Sequence, residues 1–367
     1  MYPRKKSPDI LLFAATFLLL SIGVVMVYSA SQVTAYERLD DTFYYLKKQL
    51  MWALIGLAAM VTVMKIDYWK YKKLAVPFLV IAFLLLITVL LPGVGREVKG
   101  SQRWLGIGEM RIQPSEIIKL SMVVFMAYGL TRYRDRLRNF AAGLLPFLII
   151  MALAAGLILM QPDLGTAVSM AGTVYIMFIA GGAKGKHLGY LALSGLLAVG
   201  LAIALEPYRM SRFLAFLDPW KDPTGTGYHI IQSLYALGSG GLFGVGLGQG
   251  HQKFFYLPEQ HTDFIFAVLG EELGFFGGAL VIVLFLLFIW RGFKIALSTQ
   301  DSFASLLAVG LTSMVALQAV INIGVVTGSL PITGIPLPLI SFGGSSLVFT
   351  LTGVGILLNI SRYVSSR

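Results

Sequence analysis

A chain of 367 residues that is 57% hydrophobic and only 13% charged is not an ordinary soluble globule. Its apolar residues fall in repeated runs of about 20, the length that crosses a bilayer's hydrocarbon core, so the chain reads as a bundle of membrane helices. With no cysteine it has no disulfide, thiolate or Cys-based metal chemistry.

The first run, Ile10 to Tyr28, follows Arg4, Lys5 and Lys6 and resembles a signal peptide down to a small-residue Ser29-Ala30-Ser31. It is too long for a typical signal core and more spans follow, so it is predicted to be an uncleaved first helix. Further spans are predicted over 50–65, 74–92, 115–131, 142–160, 164–182, 188–205, 265–290, 302–325 and 343–361. The expected fold is therefore an all-α polytopic membrane protein of ten transmembrane helices, one integral membrane domain over 1–367.

An even number of spans puts both termini on one side. That side carries 17 of the 29 Lys and Arg residues, with only Asp9, Asp67, Asp135 and Asp301 against them. By the positive-inside rule both termini are cytoplasmic. The net charge of +11 is thus a topology signal, and nucleic-acid binding is excluded as its explanation.

The longest connection, 206–262, is a large extracytoplasmic loop between helices 7 and 8. Loops of this length without clear elements of their own are usually functional or disordered. Trp220, Tyr228, Tyr235, Phe243, Phe254, Phe255 and Tyr256 give it aromatic surface suited to the membrane interface, which argues against disorder. Its Gly244-Val245-Gly246-Leu247-Gly248 lacks the spacing and the βαβ context of a dinucleotide fingerprint, so tight turns near a surface or ligand are expected. A second outer loop, 93–114, carries Arg96, Lys99, Arg103, Trp104 and Arg111.

The loop's end, Tyr256-Leu-Pro-Glu-Gln-His-Thr-Asp263, passes straight into an apolar run holding Glu271 and Glu272. Ionisable groups at a membrane boundary cost free energy unless paired, hydrated or used. Asp263 has two readings: Thr262 or Asp263 as a helix N-cap, or Asp263 as a general base among Lys253, Glu259 and His261. Glu271, roughly 12 Å further along a helix, could line the same groove, whereas Glu272 faces another way and pairs with a different helix. His261 is a ligand, a proton carrier or a structural histidine.

On the fourth helix Glu116 and Lys119 are three residues apart on one face. They form a self-satisfied ion pair, or else Lys119 with Arg111 holds a phosphate-bearing headgroup. Arg103, Arg209, Arg212 and Lys253 add outer-face cations. Asp163 is expected to cap the sixth helix. Gln318 and Asn322, four apart on the ninth, read as interhelical hydrogen bonding first and cavity lining second. The Pro- and Gly-rich segment 328–346 cannot face lipid, so it packs on protein or lines a wet cavity.

Five stretches taken together, Gln113-Pro-Ser-Glu-Ile-Ile-Lys, Gln161-Pro-Asp-Leu-Gly-Thr, Tyr256-Leu-Pro-Glu-Gln-His-Thr-Asp-Phe-Ile-Phe-Ala, Gly270-Glu-Glu-Leu-Gly and Pro336-Leu-Pro-Leu-Ile-Ser-Phe-Gly-Gly-Ser-Ser, resemble the SEDS family of shape, elongation, division and sporulation. The resemblance covers nearly the whole chain. It is closer to the division and sporulation members, FtsW and SpoVE, than to the elongation member RodA. Phe342 departs from the expected Tyr or small residue.

The resemblance implies a peptidoglycan glycosyltransferase of the bacterial cytoplasmic membrane that polymerises lipid II on the outer face. Its implied partners are a class B penicillin-binding protein and other division or sporulation proteins. It also implies that Asp263 is the essential aspartate and that Arg111, Glu116 and Lys119 matter on the fourth helix. Joined to the residues, the expectation is that Asp263 deprotonates an acceptor hydroxyl while Lys119 and Arg111 neutralise the leaving pyrophosphate, with a divalent cation, Mg or Mn, as a candidate helper. The alternative is a flippase of the lipid-linked precursor, which would cluster polar groups at the midplane on broken helices.

Overall fold

The computed structural model describes residues 6–98, 101–107, 110–254 and 256–364. Arg4, Lys5, Lys99, Phe255 and Arg367 lie outside the described residues. The chain is an α-helical polytopic membrane protein, and each predicted span coincides with a helix. These are α1 (Ile10–Leu39), α2 (Tyr44–Lys65), α3 (Trp69–Leu90), α4 (Pro114–Arg132), α5 (Leu145–Leu159), α6 (Leu164–Ala180), α7 (Gly185–Ala204), α10 (Ile265–Ser298), α11 (Ser302–Val326) and α12 (Ser345–Ser361). Among the described residues seven helices, α1, α2, α3, α5 with the turn before it, α7, α10 and α11, are long and apolar enough to cross a membrane.

Local chemistry sets the helix starts. Asp9 caps α1 by accepting from the Leu12 N–H, Asp163 caps α6 through Thr166 as expected, and Asp301 caps α11 through Phe303. Pro114 opens α4 at a position where its missing N–H costs nothing. Ser29, Ala30 and Ser31 are buried inside α1, which continues past them to Leu39.

Burial concentrates on α4, α11 and α12, whereas α7 buries no residue. At the end of the bundle that carries the termini, Arg291 pairs with Asp9, and the Asn359 carboxamide bridges the Met64 carbonyl and the Tyr68 N–H.

Two connecting segments hold structure that composition did not reveal. Within 93–114, β1 (Arg96–Val98), β2 (Ser101–Ile107) and β3 (Met110–Ile112) form an antiparallel sheet in the order β1-β2-β3. Within 206–262, α8 (Pro207–Leu217) and α9 (Tyr228–Ser239) fold the long loop. Its aromatic residues Trp220, Tyr235, Phe243, Phe254 and Tyr256 stay largely exposed rather than buried in the protein, which suits an interface.

The glycine-rich run has a specific use. α10 is broken at Gly274, where φ is 66° and ψ −166°. The break frees the carbonyls of Glu271 and Glu272, and these accept from Val245 N–H at 3.0 Å and Gly246 N–H at 3.1 Å. In return Phe275 and Phe276 donate to the carbonyls of Gly241 and Leu242. Buried backbone groups are thereby paired, as a low-dielectric setting demands. A Cβ on Gly274 would lie 2.3 Å from the Gly244 nitrogen, so neither backbone has room for a side chain. Gly274→Ala is expected to destabilise the protein by about 2 kcal/mol or more through strain and overlap. The thermal midpoint of the detergent-purified variant measures this.

Candidate active site

The segment before α10 is pinned carbonyl by carbonyl. His261 O accepts from Phe342 N–H at 3.0 Å, Thr262 O from Ser341 Oγ at 2.6 Å, and Asp263 O from Asn322 Nδ2 at 2.7 Å. Asn322 also donates to Ile335 O at 2.8 Å, so one carboxamide on α11 fixes both the Asp263 backbone and the irregular 328–344 segment. Asn322 was expected to bond between helices; its carboxamide instead ties α11 to the carbonyls of two non-helical segments. Asn322→Ala would leave two acceptors without their donor, at about 1–3 kcal/mol for each that stays buried. A lowered thermal midpoint together with slower turnover is the expected result, read by thermal denaturation and product gels on the same preparation.

Asp263 is not the helix cap. The N-cap of α10 is Phe264, one residue on, and no side chain caps it. The capping reading of Thr262 and Asp263 is therefore corrected: Thr262 Oγ1 instead donates to the Glu259 carboxylate at 2.8 Å. The Asp263 side chain is half-buried and lies beside Gly334, where a Cβ would come 3.5 Å from Oδ2. At φ 75° Gly334 favours having no side chain, which keeps the segment close against the carboxylate.

Arg103 on β2 reaches down to the α5–α6 turn. Its Nε donates to Gln161 O at 2.7 Å, and a terminal nitrogen donates to Pro162 O at 2.6 Å. Another lies 3.8 Å from Asp163. Arg111 on β3 pairs across from Gly106 of β2.

Arg212 on α8 places its guanidinium 4.3 Å over the Tyr208 ring, one turn back on the same face. Burial and the nearby Arg103 depress its pKa, while Tyr208 and Asp263 oppose the shift. His229 on α9 lies with its ring 5.8 Å from that of Phe264. Burial first, and Arg212 second, hold its pKa below the usual histidine value, so it is neutral at pH 7. His229 escaped sequence reasoning. The signal for both residues was the amphipathic 3.6-residue period of α8 and α9 inside a stretch read as loop.

Several expected site residues are spent elsewhere. Lys119, only 2% exposed, donates to Glu116 at 2.8 Å, the pairing that the ion-pair reading expects. Lys253 is no outer-face cation: it is 0% exposed and pairs with Glu272 at 2.9 Å. Glu272 also accepts from Ser29 on α1, as its expected interhelical pairing required. Glu271 does not line a groove with Asp263, since its carboxylate accepts from the N–H groups of His251 and Gln252. His261 packs its ring between Tyr45 at 4.5 Å and Phe342 at 5.8 Å, the structural role among its readings. The structure thus gathers Glu259, His261 and Asp263 in one segment pinned by Asn322 of α11, with Arg103 and Arg212 within electrostatic reach of one another.

Among the described residues no three of His, Cys, Asp and Glu come together in a way that would hold a metal ion.

A family model described as a cell cycle protein, FtsW/RodA/SpoVE, matches residues 9–366. The chain is 51% identical to "Stage V sporulation protein E" of Bacillus subtilis over 99% of both chains. It is 45% identical to a "Probable peptidoglycan glycosyltransferase FtsW" of Trichlorobacter lovleyi, over 96% of this chain and 93% of that one. Among solved structures it is similar to a chain in "Structural coordination of polymerization and crosslinking by a peptidoglycan synthase complex", with TM-score 0.80, 31% identity and coverage of 97% and 98%. It is also similar to the rod shape determining protein RodA of Thermus thermophilus, with TM-score 0.71, 28% identity and 98% of both chains covered.

Proposed function

From the premise that the chain belongs to the FtsW/RodA/SpoVE family and is a peptidoglycan glycosyltransferase, we propose that it polymerises lipid II with Asp263 as general base. The observation that carries this reading is the Asp263 environment: a carboxylate not used as a cap, on a backbone fixed by Asn322, with Arg212 close enough to feel its charge. A base must be held in place before its pKa matters.

In the proposed reaction Asp263 takes the proton from the acceptor GlcNAc 4-hydroxyl, whose oxygen attacks C1 of the donor MurNAc. The C1–O bond to undecaprenyl pyrophosphate breaks, and the glycosidic configuration inverts from α to β. A pyrophosphate departs without a general acid when cations meet its developing charge. Arg103 suits that role better than Lys119, whose ammonium is sealed against Glu116.

The topology proposed with this function is ten spans in one domain with both termini cytoplasmic. The 206–262 loop, the sheet and Asp263 then lie on the outer face, where an acceptor strand is found. The charge bias of the loops supports this sidedness. A class B penicillin-binding protein as crosslinking partner is supported by the likeness to the synthase complex, and service in division or sporulation by the named relatives. The test is to incubate the purified protein with labelled lipid II and resolve products by gel. A ladder of muramidase-sensitive strands is expected, and unchanged lipid II with an active partner present would refute the reading.

A further inference from the structure

We infer that the turn joining α4 to α5, with the start of α7 beside it, is a binding site for the phosphate headgroup of an anionic phospholipid at the end of the bundle that carries the termini. The inference is independent of the polymerase reading. It assigns a use to cations that neither the fold nor the proposed chemistry employs.

The turn is a built structure. α4 ends at Arg132, a 3-10 turn follows over Arg134–Arg136, and a π-helical turn over Phe140–Leu144 leads into α5. Asn139 holds the second turn by accepting from the N–H groups of Ala141 and Ala142. A Cβ on Gly143 would lie 2.1 Å from the Arg136 carbonyl oxygen, so the approach to α5 is seated directly on the arginine-bearing turn. Leu137, between Arg136 and Arg138, is buried, and it lies where a Cβ on Gly181 at the end of α6 would meet it at 3.4 Å. Phe140 meets the His187 ring edge-on at 5.6 Å, which brings the first turn of α7 alongside, with Lys184 and Lys186.

On this frame the cations are held and unpaired. Arg132 lies 5.8 Å and Arg136 5.6 Å from the centre of one ring, that of Tyr133, and Arg132 also donates to the Tyr128 hydroxyl. Stacking of this kind orients a guanidinium while leaving donors on its edge for a phosphate. Arg134, Arg138, Lys184 and Lys186 are exposed around them, and Asp135 is the one acid in 132–140 and 181–187. Among the described residues none of the six cations makes an ion pair, whereas Arg291 at the same end has Asp9. Like charges gathered in this way repel one another. A phosphate among them relieves the repulsion and gains charge-assisted hydrogen bonds.

The surroundings select a lipid over an acidic protein. These cations stand where α4 ends and α7 begins, the depth at which headgroups lie. Apolar side chains adjoin them: Tyr133, Phe140 and Leu145 are 38%, 38% and 40% exposed, and Ile149, one turn further along α5, is 52% exposed. A phospholipid meets both at once, its phosphate on the arginines and its chains along α5. Basic loops also orient spans, but that role needs only the number of charges and not their fixation on a ring.

The test measures binding of dioleoyl phosphatidylglycerol against dioleoyl phosphatidylcholine by the full-length protein in detergent, as bound lipid in native mass spectra and as the rise in thermal midpoint. Wild type is expected to prefer phosphatidylglycerol, and Arg132→Gln/Arg136→Gln to bind it about 10-fold more weakly. Lys70→Gln/Lys73→Gln, which removes the same charge from another loop at that end, should bind as wild type does. Tyr133→Leu keeps every charge but removes the ring, and part of the preference should go with it. The inference is overturned if the two double variants weaken equally, if Tyr133→Leu keeps the full preference, or if sn-glycerol 3-phosphate displaces the lipid at comparable concentration, which would make the ligand a soluble phosphate. It is also overturned if wild type binds the two lipids alike, and retention of polyglutamate through these arginines would then make the partner an acidic protein. Should the arginine variant fail to insert, Tyr133→Leu alone decides: a weakened preference supports the site and an unchanged one overturns it.

Discussion

Asp263→Asn is expected to insert and fold like the wild type yet polymerise lipid II about 10²–10⁴-fold more slowly, the usual cost of losing a positioned general base. The substitution changes charge but hardly any volume, so the contact with Gly334 survives. Backbone bonds from Asn322 and the 335–342 segment do not involve the side chain. Nor does α10 lose a cap, because its N-cap is Phe264. Stability and catalysis therefore separate at this position. Equal thermal midpoints with strand synthesis nearly abolished is the predicted pair of results. An unchanged rate would remove Asp263 from the chemistry.

The second large effect is on stability. Lys253→Met should destabilise the protein by about 3–5 kcal/mol, because it leaves the fully buried Glu272 carboxylate without its cation. Ser29 still donates to Glu272, but one hydroxyl does not replace an ammonium. The loss should weaken the join between α1, α10 and the loop that leads to Asp263. Combining Lys253→Met with Glu272→Gln removes both charges, keeps the shapes similar and is expected to recover most of the stability. The thermal midpoints of the two single variants and the double variant in one detergent decide the matter. A harmless single variant, or a double variant no better than the worse single, would mean that the pair is not what holds these elements together.

The contrast between those two sites shows what was legible in the sequence. The spans were readable because about 20 apolar residues in a row have few alternatives, and Asp163 and Pro114 marked helix starts by local chemistry alone. Lys253 misled because its burial depends on Glu272, 19 residues later, and on Ser29, more than 200 residues earlier. Composition places a lysine on a polar loop at the surface; only tertiary structure supplies the carboxylate that draws it inside. The break at Gly274 was hidden for the same reason. Its freed carbonyls need the backbone of 245–246, and nothing local to α10 announces that partner. Strands β1 and β3 were too short to establish a period, and the seven residues of β2, Ser-Gln-Arg-Trp-Leu-Gly-Ile, do not alternate. At the site itself Asp263 stood out through its company, and Asn322 through its spacing from Gln318. His229 did not, and Arg212 was named only as one outer-face cation among four, since their helices were read as irregular loop.

One experiment bears most directly on the whole account. The protein is reconstituted in liposomes with labelled lipid II and a class B penicillin-binding protein, and strand formation and transbilayer movement of lipid II are recorded together. The account predicts glycan strands with wild type and none with Asp263→Asn. No strands under any condition, with lipid II crossing the bilayer wherever the protein is present, would contradict it and make the chain a flippase.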